Sequence, residues 1–235
     1  MLYPKSKAPK LDEKLFKNPT SEYRGTPFWS WNCQLTADLL KRQIEHLKKM
    51  GFGGFHMHSR TGMATPYLSD EFMGLVKACV EKARQEGMLA WLYDEDRWPS
   101  GAAGGLVTKN REYRARHLLF TPYPYSDTGE KQAQSVSAGI GDRMENGRLL
   151  ARYDIRLDKD GYLKEYRMLA DGETGEGENV WYAYLEIAGE SAWFNNQTYV
   201  NALDKSAIDE FIRITYEAYK EAVGEYFGGI VPAIF

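Results

Sequence analysis

The chain has 235 residues, of which 43% are hydrophobic and 27% are charged, and both values are ordinary for a globular protein. Its formal net charge is −3, with acidic and basic residues interspersed, which argues against a nucleic-acid-binding surface because such surfaces usually show a basic face. No apolar run approaches the roughly 20 residues of a membrane span, and no apolar segment of a signal peptide follows the basic N-terminus. The sequence therefore predicts a cytoplasmic protein that binds neither nucleic acid nor membrane.

The N-terminal third of the chain is predicted to alternate between strands and helices. Residues 1–24 are polar and predict an irregular lead-in. Three βα units follow over residues 25–115, and the first combines an apolar strand at 26–31 with a helix that Thr36 caps. The second unit begins with the strand GFGGFHMH at 51–58.

Capping residues also mark both ends of the second helix, and the third strand follows it. Ser69 is a typical N-cap, and Gly87 is a typical residue for ending a helix. The apolar segment 88–96 then predicts a third strand. Short glycine-ended returns of this kind favour parallel strands joined by right-handed crossovers.

The pattern changes after the third unit. Residues 116–198 read as short strands, which predict an inserted small antiparallel β domain, with hairpin-type turns at Asn146-Gly147, Asp160-Gly161 and Asp171-Gly172. Residues 199–235 return to a helix and a fourth apolar strand. We therefore predict an α/β fold: a partial (β/α)8 TIM-type barrel that contains the first four parallel strands and breaks off inside the fourth.

Polar and aromatic residues follow each of the first three predicted strands. Barrel enzymes carry their chemistry on the loops at this end of the strands, so these residues are predicted to bind substrate at one rim. The predicted set is Trp31, Asn32, His58, Arg60, Asp94, Glu95, Asp96 and Trp98.

Three consecutive carboxylates are the most informative part of this set. Asp94 and Asp96 would face the same side of a strand while Glu95 points away. Close carboxylates suit acid/base work, binding of sugar hydroxyls or a cation site, and Arg97 could neutralise one of them. The alternative is a salt-bridged structural turn.

The histidine pair and the tryptophan pair on the predicted strands each allow two interpretations. His56 and His58 are either a packed, hydrogen-bonded pair or, together with Asp94, ligands of a zinc ion. Trp29 and Trp31 share a strand face, so one of them is predicted to lie in the core. Trp31 is the better candidate for stacking on a sugar ring, because it lies nearer the rim.

Four sequence segments resemble one group of bacterial enzymes. The segments PFWSWN, GFGGFHMHSRTGM, YLSDEFM and WLYDEDRWPSGAAGG are similar to α-L-rhamnosidase-like glycoside hydrolases related to glycoside hydrolase family 106. The resemblance covers residues 25–115 and resumes at 199–235.

The resemblance implies that a carbohydrate is the substrate and that paired carboxylates cleave an O-glycosidic bond. It places the general acid just beyond Phe235, so the catalytic residues of this chain are unknown. The chain is then the N-terminal part of the enzyme, inactive without the remainder of the same polypeptide. Relatives in family 106 imply calcium, although no ligand set in the sequence identifies it.

Two other functions stay open from the sequence. The chain could be a carbohydrate-binding or structural module without catalysis that uses the same rim. It could also be a metal-dependent barrel hydrolase that uses His56, His58 and Asp94.

Overall fold

Two separate β-sheets form the framework of the computed structural model, which describes residues 9–125, 143–175 and 179–235. The chain divides into two units. The first consists of Met1–Val107 and Ile208–Phe235, and the second consists of Thr108–Ala207. The parallel sheet lies in the first unit and the antiparallel sheet in the second.

Eleven α-helices and β-strands, numbered in chain order, form the main regular structure of the described residues. They are α1 (Glu13–Lys17), β1 (Phe28–Trp31), α2 (Ala37–Lys49), β2 (Gly54–Ser59), α3 (Asp70–Glu86), β3 (Leu89–Trp91), β4 (Arg116–Thr121), β5 (Arg148–Leu157), β6 (Leu163–Leu169), β7 (Val180–Ile187) and α4 (Lys205–Val223). None of the helices in this part of the chain has the length and apolar character needed to cross a bilayer.

Side-chain caps begin α2 and α3, and a glycine ends α3. The Thr36 hydroxyl accepts a hydrogen bond from the Leu39 amide at the start of α2, and the Ser69 hydroxyl accepts from the Phe72 amide at the start of α3. Gly87 ends α3 in the left-handed conformation, with a φ of 63°. These caps confirm the helix limits that the sequence predicts, because capping depends on local residue types.

The parallel sheet has the order β1-β2-β3, so β2 is the central strand. Trp31 is paired with Ser59, and His56 with Trp91. One face of the sheet packs against α2 and α3, and the core between them contains Phe55, Met57, Ala90 and Leu92 together with Leu40, Ile44, Phe72, Val76, Cys79 and Val80. The opposite face of the sheet carries aromatic side chains instead.

The prediction of a partial (β/α)8 barrel is wrong. The described residues form an open three-stranded parallel sheet and a separate antiparallel sheet, and no barrel is evident among them. The predicted fourth strand, 229–235, contributes one isolated bridge to the parallel sheet, between Ile234 and Leu92. Pro232 has no N–H group to donate, so a regular ladder cannot continue across it. A barrel would also require each strand to be paired on both sides.

The antiparallel sheet of the second unit has the order β4-β7-β5-β6. Its strands lie within residues 116–198, for which the sequence predicts antiparallel pairing. Of the three predicted hairpin turns, only Asp160-Gly161 joins strands that are neighbours in the sheet, β5 and β6. The turn at Asp171-Gly172 follows β6, but the next strand, β7, pairs with β4 and β5. β5 therefore lies between β6 and β7 in the sheet.

Candidate functional site

The carboxyl ends of the three parallel strands lie at one edge of their sheet, since all three run in the same direction. The end of β2 is tied to the end of β1, because the Arg60 amide donates to the Trp31 carbonyl at 3.0 Å. The loops that carry the predicted site residues therefore begin side by side. We call this edge, with the residues that follow β1, β2 and β3, the carboxyl edge.

Trp31 and His58 lie on opposite faces of the sheet. Ser30 is paired with His58 and Trp31 with Ser59, and successive strand residues alternate between the faces. The Trp31 side chain is only 1% exposed and packs at 5.6 Å, edge to face, against the Phe72 ring of α3. The indole therefore belongs to the hydrophobic core and offers no face to a sugar, contrary to the sequence prediction.

His58 lies within an aromatic stack on the helix-free face. Its ring stacks on Tyr93 with centroids 3.6 Å apart and lies 4.2 Å from the Phe28 ring. The Nδ1 atom lies 2.9 Å from the Ser59 carbonyl oxygen. A carbonyl only accepts, so Nδ1 carries the hydrogen. Burial lowers the pKa of His58 to about 4, which keeps the imidazole neutral at pH 7.

This burial predicts a pH dependence of stability. The folded-state pKa of about 4 lies below the ordinary value of 6.5, so between these values the unfolded state binds more protons. The His58 contribution to the free energy of unfolding should therefore fall by about 3 kcal/mol as the pH decreases through this range. Urea unfolding of the wild type and of His58→Phe at pH 7, 5.5 and 4 measures this contribution. It is the difference between the free energies of unfolding of the two proteins at each pH.

The wild type has to be compared with His58→Phe because Glu95 changes the free energy of unfolding with pH in the opposite direction. Burial raises the pKa of Glu95 to about 7, so ionisation of this group lowers the free energy of unfolding as the pH rises from 4.5 to 7. His46→Gln, on the exposed surface of α2, controls for the removal of an imidazole as such. Parallel pH profiles for the wild type and His58→Phe would contradict the prediction.

A metal centre at this edge finds no support in the described residues. The His56 ring packs against Trp91, with centroids 5.0 Å apart, and burial lowers the pKa of His56. No group of three or more histidine, cysteine, aspartate or glutamate side chains within 9–125, 143–175 and 179–235 could hold a metal ion. The set of His56, His58 and Asp94 is therefore not a metal cluster. The described residues also contain no group of three or more carboxylates for the calcium that the resemblance implies.

Glu95 anchors the loop that follows β3. One carboxylate oxygen accepts from the Asp96 and Gly104 amides, and the other accepts from the Gly101 and Ala103 amides, at 2.5–3.0 Å. The side chain is 1% exposed. Burial is the main cause of its raised pKa, and the four amide donors oppose the shift. Because backbone donors surround the carboxylate, the position of Glu95 favours a structural role over contact with a substrate.

Asp94 and Asp96 keep their side chains at the carboxyl edge. The Ser100 hydroxyl donates to Oδ1 of Asp94, and the Tyr216 hydroxyl donates to Oδ2 at 2.8 Å. Oδ2 of Asp96 lies 3.5 Å from Nε of Arg97. Both aspartates are largely buried, so their carboxyl groups have little access to solvent.

Three predicted residues are more accessible. Asn32 is exposed and Arg60 is half-buried. Trp98 is 61% exposed, and among the predicted aromatic residues it is the one whose ring is open to solvent. The carboxyl edge thus combines buried carboxylates with an exposed indole, a guanidinium and an amide.

Sequence reasoning missed three residues of this edge, namely Tyr93, Ser100 and Tyr216. Tyr93 could have been found from its position two residues after Trp91, which places both rings on the face that carries His58. Ser100 lies in the loop after the three carboxylates, and a lone serine in a loop gives no signal of its hydrogen bond to Asp94. Tyr216 lies 122 residues after Asp94, and no local pattern connects the two.

A second aromatic surface lies on the antiparallel sheet of the other unit. A cavity of about 590 Å³ is lined there by Leu118, Phe120, Tyr153, Ile155, Leu157, Gly161, Leu163, Tyr166, Trp181 and Ala183. Sugar pockets combine aromatic faces with charged or amide groups that bind hydroxyls. This lining has aromatic rings but no charged or amide side chain, so we assign it no part in the site.

Comparison with known proteins does not assign the chain to a family. No family model matches the chain, and no curated protein matches it. The solved rhamnosidase from Novosphingobium sp. PP1Y is similar at 16% identity and a TM-score of 0.41, over 64% of this chain and 17% of that one. The chain thus spans about a sixth of the length of that protein. A likeness at this identity and TM-score carries no argument for the fold or the site.

Proposed function

We propose that this chain is part of a glycoside hydrolase of the α-L-rhamnosidase-like type and that its carboxyl edge binds carbohydrate. The main support is the set of groups at that edge: the Asp94 carboxylate lies on the same edge as the half-buried Arg60 and the exposed Trp98. Carboxylates accept hydrogen bonds from sugar hydroxyls, and a guanidinium donates hydrogen bonds to the oxygens of those hydroxyls. An indole face packs against the C–H groups of a pyranose.

In this proposal the aspartates bind the sugar and do not break the bond. Asp94 accepts hydrogen bonds from the Ser100 and Tyr216 hydroxyls, and Asp96 lies beside Arg97. Hydrolysis itself would use a different pair of carboxylates across an oxocarbenium-like transition state.

Replacing Trp98 by alanine tests the proposal. We expect the purified chain to bind L-rhamnose and Trp98→Ala to bind it at least tenfold more weakly, a loss of about 1.4 kcal/mol, because the exposed stacking face is removed. Isothermal titration calorimetry measures both affinities. Trp193→Ala is the matched control, since Trp193 is 46% exposed and belongs to the other unit.

Two results would count against the proposal. One is the absence of saturable L-rhamnose binding by the wild-type chain. The other is an equal loss of affinity in Trp98→Ala and Trp193→Ala. Stoichiometric zinc in the purified protein would instead favour the metal-dependent alternative.

A further inference from the structure

The two oxygens of the Asp94 carboxylate are held by hydroxyls from two different parts of the chain. Ser100 lies in the loop after β3, and Tyr216 lies on α4. The Asp94 side chain is 5% exposed, and its backbone amide donates to the Phe235 carbonyl at 3.1 Å. A carboxylate has about four acceptor positions, so two remain for other donors. The orientation of the carboxylate is therefore set before any ligand arrives.

Helix α4 also fixes the backbone just before Asp94. The Tyr219 hydroxyl donates to the Tyr93 carbonyl at 2.7 Å, and the Tyr219 side chain is buried in the core. Tyr216 and Tyr219 are three residues apart and lie on adjacent positions of the helix surface. Tyr219 thus positions the backbone at Tyr93, while Tyr216 positions only the side chain of Asp94.

The contacts of Tyr216 indicate that its hydroxyl orients the Asp94 carboxylate, whereas Tyr219 belongs to the core. The half-buried Tyr216 contacts the Phe211 ring at 6.2 Å, but its hydroxyl is used on Asp94. Burial raises the pKa of the Tyr216 phenol, and the hydrogen bond and the charge of Asp94 raise it further. The phenol therefore stays protonated and remains a donor to the carboxylate.

We propose that Tyr216 and Ser100 are positioning residues that hold the Asp94 carboxylate in the orientation that accepts a sugar hydroxyl. This inference rests on the proposed function. It adds that α4, which follows β3 by more than 100 residues, determines the affinity of the carboxyl edge.

A double-mutant cycle tests the inference on the purified chain, with L-rhamnose as the probe and calorimetry as the measurement. Tyr216→Phe should weaken binding about fivefold to tenfold, because the freed carboxylate samples other orientations. In the Asp94→Asn background, the same change should have almost no further effect, since residues that act through one another are not additive. Equal effects in both backgrounds would overturn the inference.

A second measurement does not depend on sugar binding. Titration of ¹³Cζ-labelled tyrosine by NMR should show that Asp94→Asn lowers the pKa of Tyr216 towards its ordinary value. In the calorimetric measurement, Tyr226→Phe is the control for removal of a phenolic hydroxyl, because the Tyr226 ring lies beside Arg84. We expect Tyr226→Phe to bind L-rhamnose with wild-type affinity.

The two measurements separate the inference from the proposed function. An unchanged Tyr216 titration in Asp94→Asn would overturn the inference, whatever the sugar result. A shifted titration together with no L-rhamnose binding by the wild type would confirm the Tyr216–Asp94 contact, and it would overturn both the proposed function and the role in sugar affinity.

Discussion

Replacing Glu95 by alanine is expected to lower the free energy of unfolding by about 4 kcal/mol, the largest effect that we predict for a side chain. The substitution leaves four buried amides, those of Asp96, Gly101, Ala103 and Gly104, without their acceptor. A buried donor that loses its partner costs roughly 1–3 kcal/mol, and relaxation of the loop recovers part of the sum. Urea denaturation at pH 8 measures the change.

Two matched variants sharpen this result. Glu95→Gln keeps one acceptor oxygen, which two of the four amides can still use, and should lose about half as much free energy. Glu217→Ala removes an exposed glutamate paired with Lys220 and should change stability by less than about 0.5 kcal/mol. Equal stability of Glu95→Ala and Glu217→Ala would show that the loop does not depend on this anchor.

Replacing Gly54 by alanine should cost about 3 kcal/mol or more. Gly54 begins the central strand β2, and a Cβ atom there would lie 2.4 Å from the Leu89 carbonyl oxygen and 2.6 Å from the Trp91 ring. Neither distance is sterically allowed, so β3 would have to move away from β2. Thermal and urea unfolding of Gly54→Ala measure the loss.

The control for this substitution is a glycine with open space around it. Gly74 lies within α3, and an added Cβ meets no atom within 4 Å. Gly74→Ala should stabilise the protein by about 0.5–1 kcal/mol, because alanine favours the helix more than glycine does. A Gly54→Ala protein as stable as the wild type would mean that the sheet spacing at β2 and β3 is wrong.

Local signals in the sequence predict the helices well. Thr36, Ser69 and Gly87 act through residues at most four positions away, so their effect can be read without knowing the fold. The parallel direction of β1, β2 and β3 also follows from the length of the intervening helices.

Barrel closure could not be predicted in the same way. It depends on the pairing of strands that are distant in sequence, and the segment 229–235 has the apolar composition of a strand without forming one. Its proline interrupts the ladder, and it contributes a single bridge to Leu92. An apolar run shows only that a segment tends to be buried, and it does not determine how that segment pairs.

The candidate site was predictable in part. Strand alternation correctly places His56 and His58 on one face, but it does not reveal which face the helices cover. Trp31 faces α3, so it is a core residue. Glu95 binds backbone amides of a loop whose shape could not be predicted from composition. Tyr216 reaches Asp94 from a distant helix, and only tertiary structure brings the two together.

The division of the first unit into two segments affects how the protein can be made. The ribosome must add the roughly 100 residues of Thr108–Ala207 before the segment from Ile208 onward appears. At roughly 5–20 residues per second, this takes about 5–20 seconds. During that interval the nascent chain carries the first three strands without Tyr219, Val223 and Val231, which complete their core. Part of the apolar surface of the first unit therefore stays uncovered until this last segment has been made.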